Sequence, residues 1–84
     1  MNTAKRLITK KWLESHHFKY DEKLRVWKNH FDYPDAYKTE YLKYDYDNRV
    51  LYTQGAYVIS ADPVCKMDEE TAYWWLRDIG HLFK

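Results

Sequence analysis

Two stretches decide the fold: Lys19-Tyr20-Asp21-Glu22-Lys23-Leu24-Arg25-Val26-Trp27, and later in the chain Lys43-Tyr44-Asp45-Tyr46-Asp47-Asn48-Arg49-Val50-Leu51. Lys, Tyr, Asp, Arg and Val coincide at matched positions, and Trp27 meets Leu51 as a large apolar residue. Each copy sets polar turn formers between β-formers, which is how a β-hairpin is written in sequence. In the second copy Asp47-Asn48 reads as a two-residue turn, because both residues tolerate positive φ better than most. Two copies are too few for a solenoid, so the echo predicts two similar hairpins.

Outward from the hairpins, His30-Phe31-Asp32-Tyr33-Pro34-Asp35 reads as a loop punctuated by proline. The stretch 36–44 mixes helix formers with alternating Tyr and Thr, and its match to the first hairpin predicts strand from Lys38. Gly55-Ala56-Tyr57-Val58-Ile59 is expected to form a short additional strand, broken by Ala61-Asp62-Pro63. At the amino terminus, Asn2 or Thr3 can cap a helix whose stripe is Ala4, Leu7, Ile8 and Trp12, ending at Ser15-His16-His17.

The last segment carries the clearest helical signal. Asp68 caps it, Glu69 and Glu70 face the positive end of its dipole, and Met67 with Ala72 forms a hydrophobic staple. Ala72, Trp75, Leu76, Ile79 and Phe83 recur at the spacing of a buried face, and Gly80 supplies the terminal turn. The expected fold is therefore α+β and a single domain over 1–84. An N-terminal helix and a C-terminal helix pack on one face of a four- or five-stranded antiparallel sheet built from two hairpins.

Composition bounds what such a domain can do. One cysteine, Cys65, excludes an internal disulfide, so the core must hold itself together. No apolar run suits a signal peptide or a membrane span, and the cytoplasm is the expected location. Four Trp, nine Tyr and three Phe are many for 84 residues. A buried ring takes up roughly 150–250 Å², so some must lie at the surface. Charge is uneven as well. Residues 1–30 hold eight basic and three acidic side chains (+5), while 31–84 hold six and ten (−4), giving the net +1.

Familiar chemistries are missing. A phosphate loop needs several glycines, and the chain has only Gly55 and Gly80. His16, His17, His30, His81 and Cys65 show no metal-ligand spacing. Asp45-x-Asp47 opens like a calcium loop but has Arg49 and Val50 where ligand and glycine belong. Cys65 reads as a small apolar filler. The sequence predicts no catalysis, no metal and no cofactor.

Two binding roles remain. The preferred one is a non-enzymatic protein-binding module, an adaptor, inhibitor or regulatory protein in the style of small proteins carried by phages and other mobile elements. Its expected surface is Trp74 with Tyr73 and Arg77, because Trp74 falls nearly opposite the apolar stripe of its helix. The basic side chains Lys5, Arg6, Lys10 and Lys11 are expected to add electrostatic attraction from the first helix. The alternative is a nucleic-acid-binding module. In that reading Tyr41, Lys43 and Tyr52 share one sheet face, the composition of a base-stacking platform, aided by the basic N-terminal helix, while Leu42, Tyr44 and Leu51 turn inward. Asp45 on the same face and the near-neutral net charge count against it.

Overall fold

The computed structural model describes residues 6–32, 38–57 and 63–80. Its elements are α1 (Lys10–Ser15), β1 (Lys19–Asp21), β2 (Val26–Asp32), β3 (Lys38–Asp45), β4 (Val50–Tyr57), β5 (Cys65–Asp68) and α2 (Glu69–Ile79). The strands form one five-stranded antiparallel meander in chain order, and both helices pack on one of its faces. The α+β architecture with strand from Lys38 is as the sequence predicts. The fifth strand, however, is 65–68, whereas 55–57 merely extend β4; Val58 and Ile59 lie outside the described residues.

The echo is one turn built twice. Asp21 accepts the amide N–H groups of Lys23 (2.9 Å) and Leu24 (3.0 Å) on its carboxylate, and Asp45 accepts that of Asn48 (3.2 Å). Each turn then needs one left-handed residue to re-enter the sheet, and it falls on Arg25 (φ 56°) and Arg49 (φ 55°). The expected two-residue turn at Asp47-Asn48 is thus a four-residue turn over 46–49. The aspartate ahead of it captures the amide three residues on, which holds a four-residue loop closed and lets the left-handed Arg49 end it. That amide of Leu24, with Lys28 beside it, holds the Asp21 carboxyl below its ordinary range.

The first helix is shorter than expected. Thr9 caps it, its hydroxyl accepting the Trp12 N–H at 3.0 Å, and His17 leaves it at φ 67°. Of the predicted stripe, Leu7 and Ile8 precede the helix, and Ala4 with the expected caps Asn2 and Thr3 lies outside the described residues. Ile8 is fully buried in a non-helical stretch because a distant group holds its backbone: its N–H donates to Glu69 Oε2 at 3.2 Å. Glu69 itself is buried at the start of α2, and Arg49 Nη1 lies 3.6 Å from its other oxygen. One carboxylate therefore ties the amino-terminal stretch, the β3–β4 turn and α2 together.

The second helix follows its sequence signals at its start. Asp68 accepts the Thr71 N–H at 2.8 Å, and Thr71 holds its carboxyl below the usual range. Ala72 and Leu76 are fully buried, Trp75 and Ile79 pack against the core at its margin, and Phe83 lies outside the described residues. Gly80 is right-handed (φ −55°), so it continues the helical sense and does not make the left-handed stop expected of it. Gly80 therefore adopts no glycine-only conformation.

Between helices and sheet, Phe31, Leu42, Tyr44 and Leu51 form the floor of the core. The Tyr44 hydroxyl is buried without a hydrogen-bond partner among the described residues. Burial first, then the Glu69 carboxylate, raises its phenol above the ordinary tyrosine value. An unmet buried hydroxyl costs roughly 1–3 kcal/mol. Tyr44→Phe should therefore stabilise the fold by about 1 kcal/mol, a rise of some 4–8 °C in melting temperature. The alkaline limb carries a second signature. A raised folded pKa means stability is intact below the unfolded value and is lost as pH rises above about 10. The Phe variant should lose less there. A lower melting temperature at pH 7 would show that the hydroxyl has a partner.

Candidate functional site

Because side chains alternate along a strand, one face of the sheet carries the core and the other, among the described residues, is free of helices. The cross-strand register aligns the outward residues in rows. Lys19 pairs with Lys28, Lys28 with Lys43, Lys43 with Tyr52, and Tyr52 with Lys66. One row thus crosses all five strands as Lys-Lys-Lys-Tyr-Lys, spanning about 19 Å at a strand spacing of about 4.8 Å. All four lysines are exposed.

Beside that row runs a second one, His30, Tyr41 and Gln54, on the three central strands. Tyr41 is 50% exposed despite its central position, and its ring lies 6.3 Å from His30 at 36°. Two recesses open next to it. One of about 570 Å³ is lined by Lys19, Lys28, Asn29, His30 and Tyr41 among others. The other, about 260 Å³, is lined by Tyr41, Lys43, Tyr52, Thr53, Gln54 and Val64.

The lysine row costs stability, because like charges directly opposite each other repel. Lys19–Lys28 and Lys28–Lys43 are two such pairs, relieved in part where Lys28 Nζ meets Asp21 at 3.2 Å. Lysines on sheet edges commonly block edge-to-edge pairing, which accounts for Lys19 on β1 and Lys66 on β5. It does not account for Lys28 and Lys43 on interior strands. Three acidic side chains of this face lie at its turn end and are engaged there, and Asp32, at the opposite end of β2, accepts the Thr39 hydroxyl at 2.7 Å. Asp21 and Asp45 each close a turn, and Asp68 caps α2. None of these bonds places a carboxylate on Lys43 or Lys66.

Tyr41, Lys43 and Tyr52 do share the helix-free face, with Leu42, Tyr44 and Leu51 on the other. Sequence reasoning did not reach Lys19, Lys28, Lys66, His30 or Gln54. The echo held one pointer, since Lys19 and Lys43 begin its two copies.

Trp74, Tyr73 and Arg77 lie together on α2, whereas the basic side chains expected from the first helix are placed differently. Trp74 is 52% exposed, with the Arg77 guanidinium 5.3 Å from its ring centre. Tyr73 is half-buried, packed at 5.5 Å against Trp12 and edge-on to Trp74. Arg6 precedes the helix on which it was expected. Its guanidinium stacks 3.9 Å over Tyr46 and donates to the Tyr46 carbonyl, so it serves the fold. Lys10 joins it 5.2 Å from the same ring, at the end of the sheet where α2 begins. Lys11 is exposed on α1, and Lys5 lies outside the described residues. Hence Arg6 and Lys10 both engage the ring of Tyr46 in the turn between β3 and β4.

Cys65 is an exposed thiol on the edge strand β5, where a core filler had been expected. Among the described residues no group of three or more His, Cys, Asp or Glu could hold a metal ion, and no helix is long and apolar enough to cross a membrane. Compared with protein-family models, curated proteins and solved structures, the chain matches none.

Proposed function

We propose that this chain is a non-catalytic module that binds single-stranded nucleic acid across the helix-free face of its sheet. The observation behind the proposal is the register row Lys19-Lys28-Lys43-Tyr52-Lys66, a line of positive charge bordered by an exposed aromatic. Lysines neutralise phosphates without regard to sequence, and tyrosine rings stack on any base. An acidic peptide would use the charge but has no need of Tyr41 and His30. The near-neutral net charge is no obstacle on this reading, since the row concentrates positive charge locally while Asp21, Asp45 and Asp68 are tied to turns and a helix cap and Asp32 accepts from Thr39 at the far end of the sheet.

Salt dependence tests it directly. For single strands, log K falls against log salt with a slope of about −0.7 per neutralised phosphate. Three to four lysine contacts predict a slope of about −2 to −3, so binding of a labelled oligo-dT should weaken roughly 20- to 50-fold between 50 and 200 mM salt. Anisotropy showing no binding at 50 mM, or binding indifferent to salt, counts against the proposal.

A protein partner docking on α2 is the second reading, favoured by the exposure of Trp74 under Arg77. Trp74→Ala should leave the fold within about 0.5 kcal/mol of wild type, as exposed substitutions do. It should cost a true interface about 2 kcal/mol or more. Host protein retained after nuclease treatment by the wild type and lost by this variant supports the reading. A large fall in melting temperature would place Trp74 in the core and end it.

A further inference from the structure

We infer, on the reading of the sheet face given above, that Tyr41 stands between two successive base-binding recesses. A bound single strand then runs across the β-strands along the lysine row, with one base on either side of the tyrosine ring.

Among the described residues Tyr41 is the one aromatic side chain that lines both recesses, and it sits on the central strand of the five. Its cross-strand neighbours are His30 towards β1 and Gln54 towards β5. The lysine row lies one outward position along each strand from the His30-Tyr41-Gln54 row, a separation of about 7 Å. Phosphates following the lysines therefore leave their bases directed over Tyr41, with a cation at the rim of each recess: Lys19 and the Asp21-paired Lys28 on one side, Lys43 on the other.

The two recesses differ chemically. The larger offers the His30 ring, tilted towards Tyr41, as a second stacking surface. The smaller is walled by Tyr52 and by Val64, which is 55% exposed, with the Gln54 amide as donor and acceptor towards a base edge. A half-exposed ring flanked by recesses suits insertion between neighbouring bases better than lying flat beneath one.

The test is anisotropy with an eight-nucleotide oligo-dT and the same strand carrying two adjacent abasic sites at its centre. The wild-type chain should bind the abasic strand about ten-fold more weakly, the loss expected when stacking is removed. Tyr41→Ala should weaken the intact strand by a similar factor and leave the salt slope unchanged. It should bind the two strands almost equally, and Tyr41→Phe should behave as wild type. If Tyr41→Ala binds the intact strand as tightly as wild type, with the salt slope preserved, the wedge is wrong and the lysine row still stands. Equal wild-type affinity for intact and abasic strands also overturns the wedge, and needs no variant to fold. Absence of salt-sensitive binding removes the inference together with the reading it rests on.

Discussion

A chain carrying Lys19→Gln, Lys43→Gln and Lys66→Gln together should lose oligonucleotide binding by roughly 500-fold at 50 mM salt. Each phosphate contact contributes about 0.7 to the salt exponent, which at 50 mM amounts to about eight-fold per lysine. Three contacts multiply, and the slope should fall to about −0.7, the share of the remaining Lys28. The fold should not suffer. The substituted side chains are exposed, and the changes remove the repulsion of Lys28 by both of its cross-strand neighbours. Circular dichroism melting at or above the wild-type temperature, combined with lost binding, separates a binding role from a structural one. Affinity within two-fold of wild type would show that the row is a solvated surface and nothing more.

The second large effect is on stability. Leu76→Ala should cost about 3 kcal/mol, within the roughly 2–5 kcal/mol span for emptying a buried leucine site. Leu76 is fully buried on α2 and belongs to the cluster that closes the sheet's inner face. A domain of this size is stable by only about 5–15 kcal/mol, so the melting temperature should fall by about 12–24 °C. Trp74, two residues earlier and 52% exposed, should change it little. The contrast between the two variants tests the orientation of α2. A fall of less than about 5 °C for Leu76→Ala would mean that this helix does not seal the core.

Much of the architecture was written locally. Hairpins repeat because an aspartate four positions ahead of an arginine closes the same turn twice, and that motif is visible in the chain. Asp68 caps α2 because a carboxylate there can accept from Thr71, again a relation of near neighbours. What misled was also local. Ala4, Leu7, Ile8 and Trp12 have helical spacing, yet Ile8 is held by Glu69, 61 residues away. Cys65 had no strand signal of its own, and pairing with Thr53 made it one.

The candidate site divides along the same line. By itself the sequence determined which side chains alternate out of each strand, since the period of two belongs to the strand alone. It therefore placed Tyr41, Lys43 and Tyr52 on a common face. Only the tertiary structure decided that Lys19, Lys28 and Lys66 fall into one row with Lys43 and Tyr52. The meeting of Lys28 with Lys43 joins two different hairpins, and no turn residue fixes that register. Register across such a connection is chosen by which inward side chains fit together beneath the sheet, here Trp27 beside Tyr44 and Phe31 beside Glu40. A slip of one residue would turn those side chains to the wrong face. The lysines on the solvent side follow a register that the core selects.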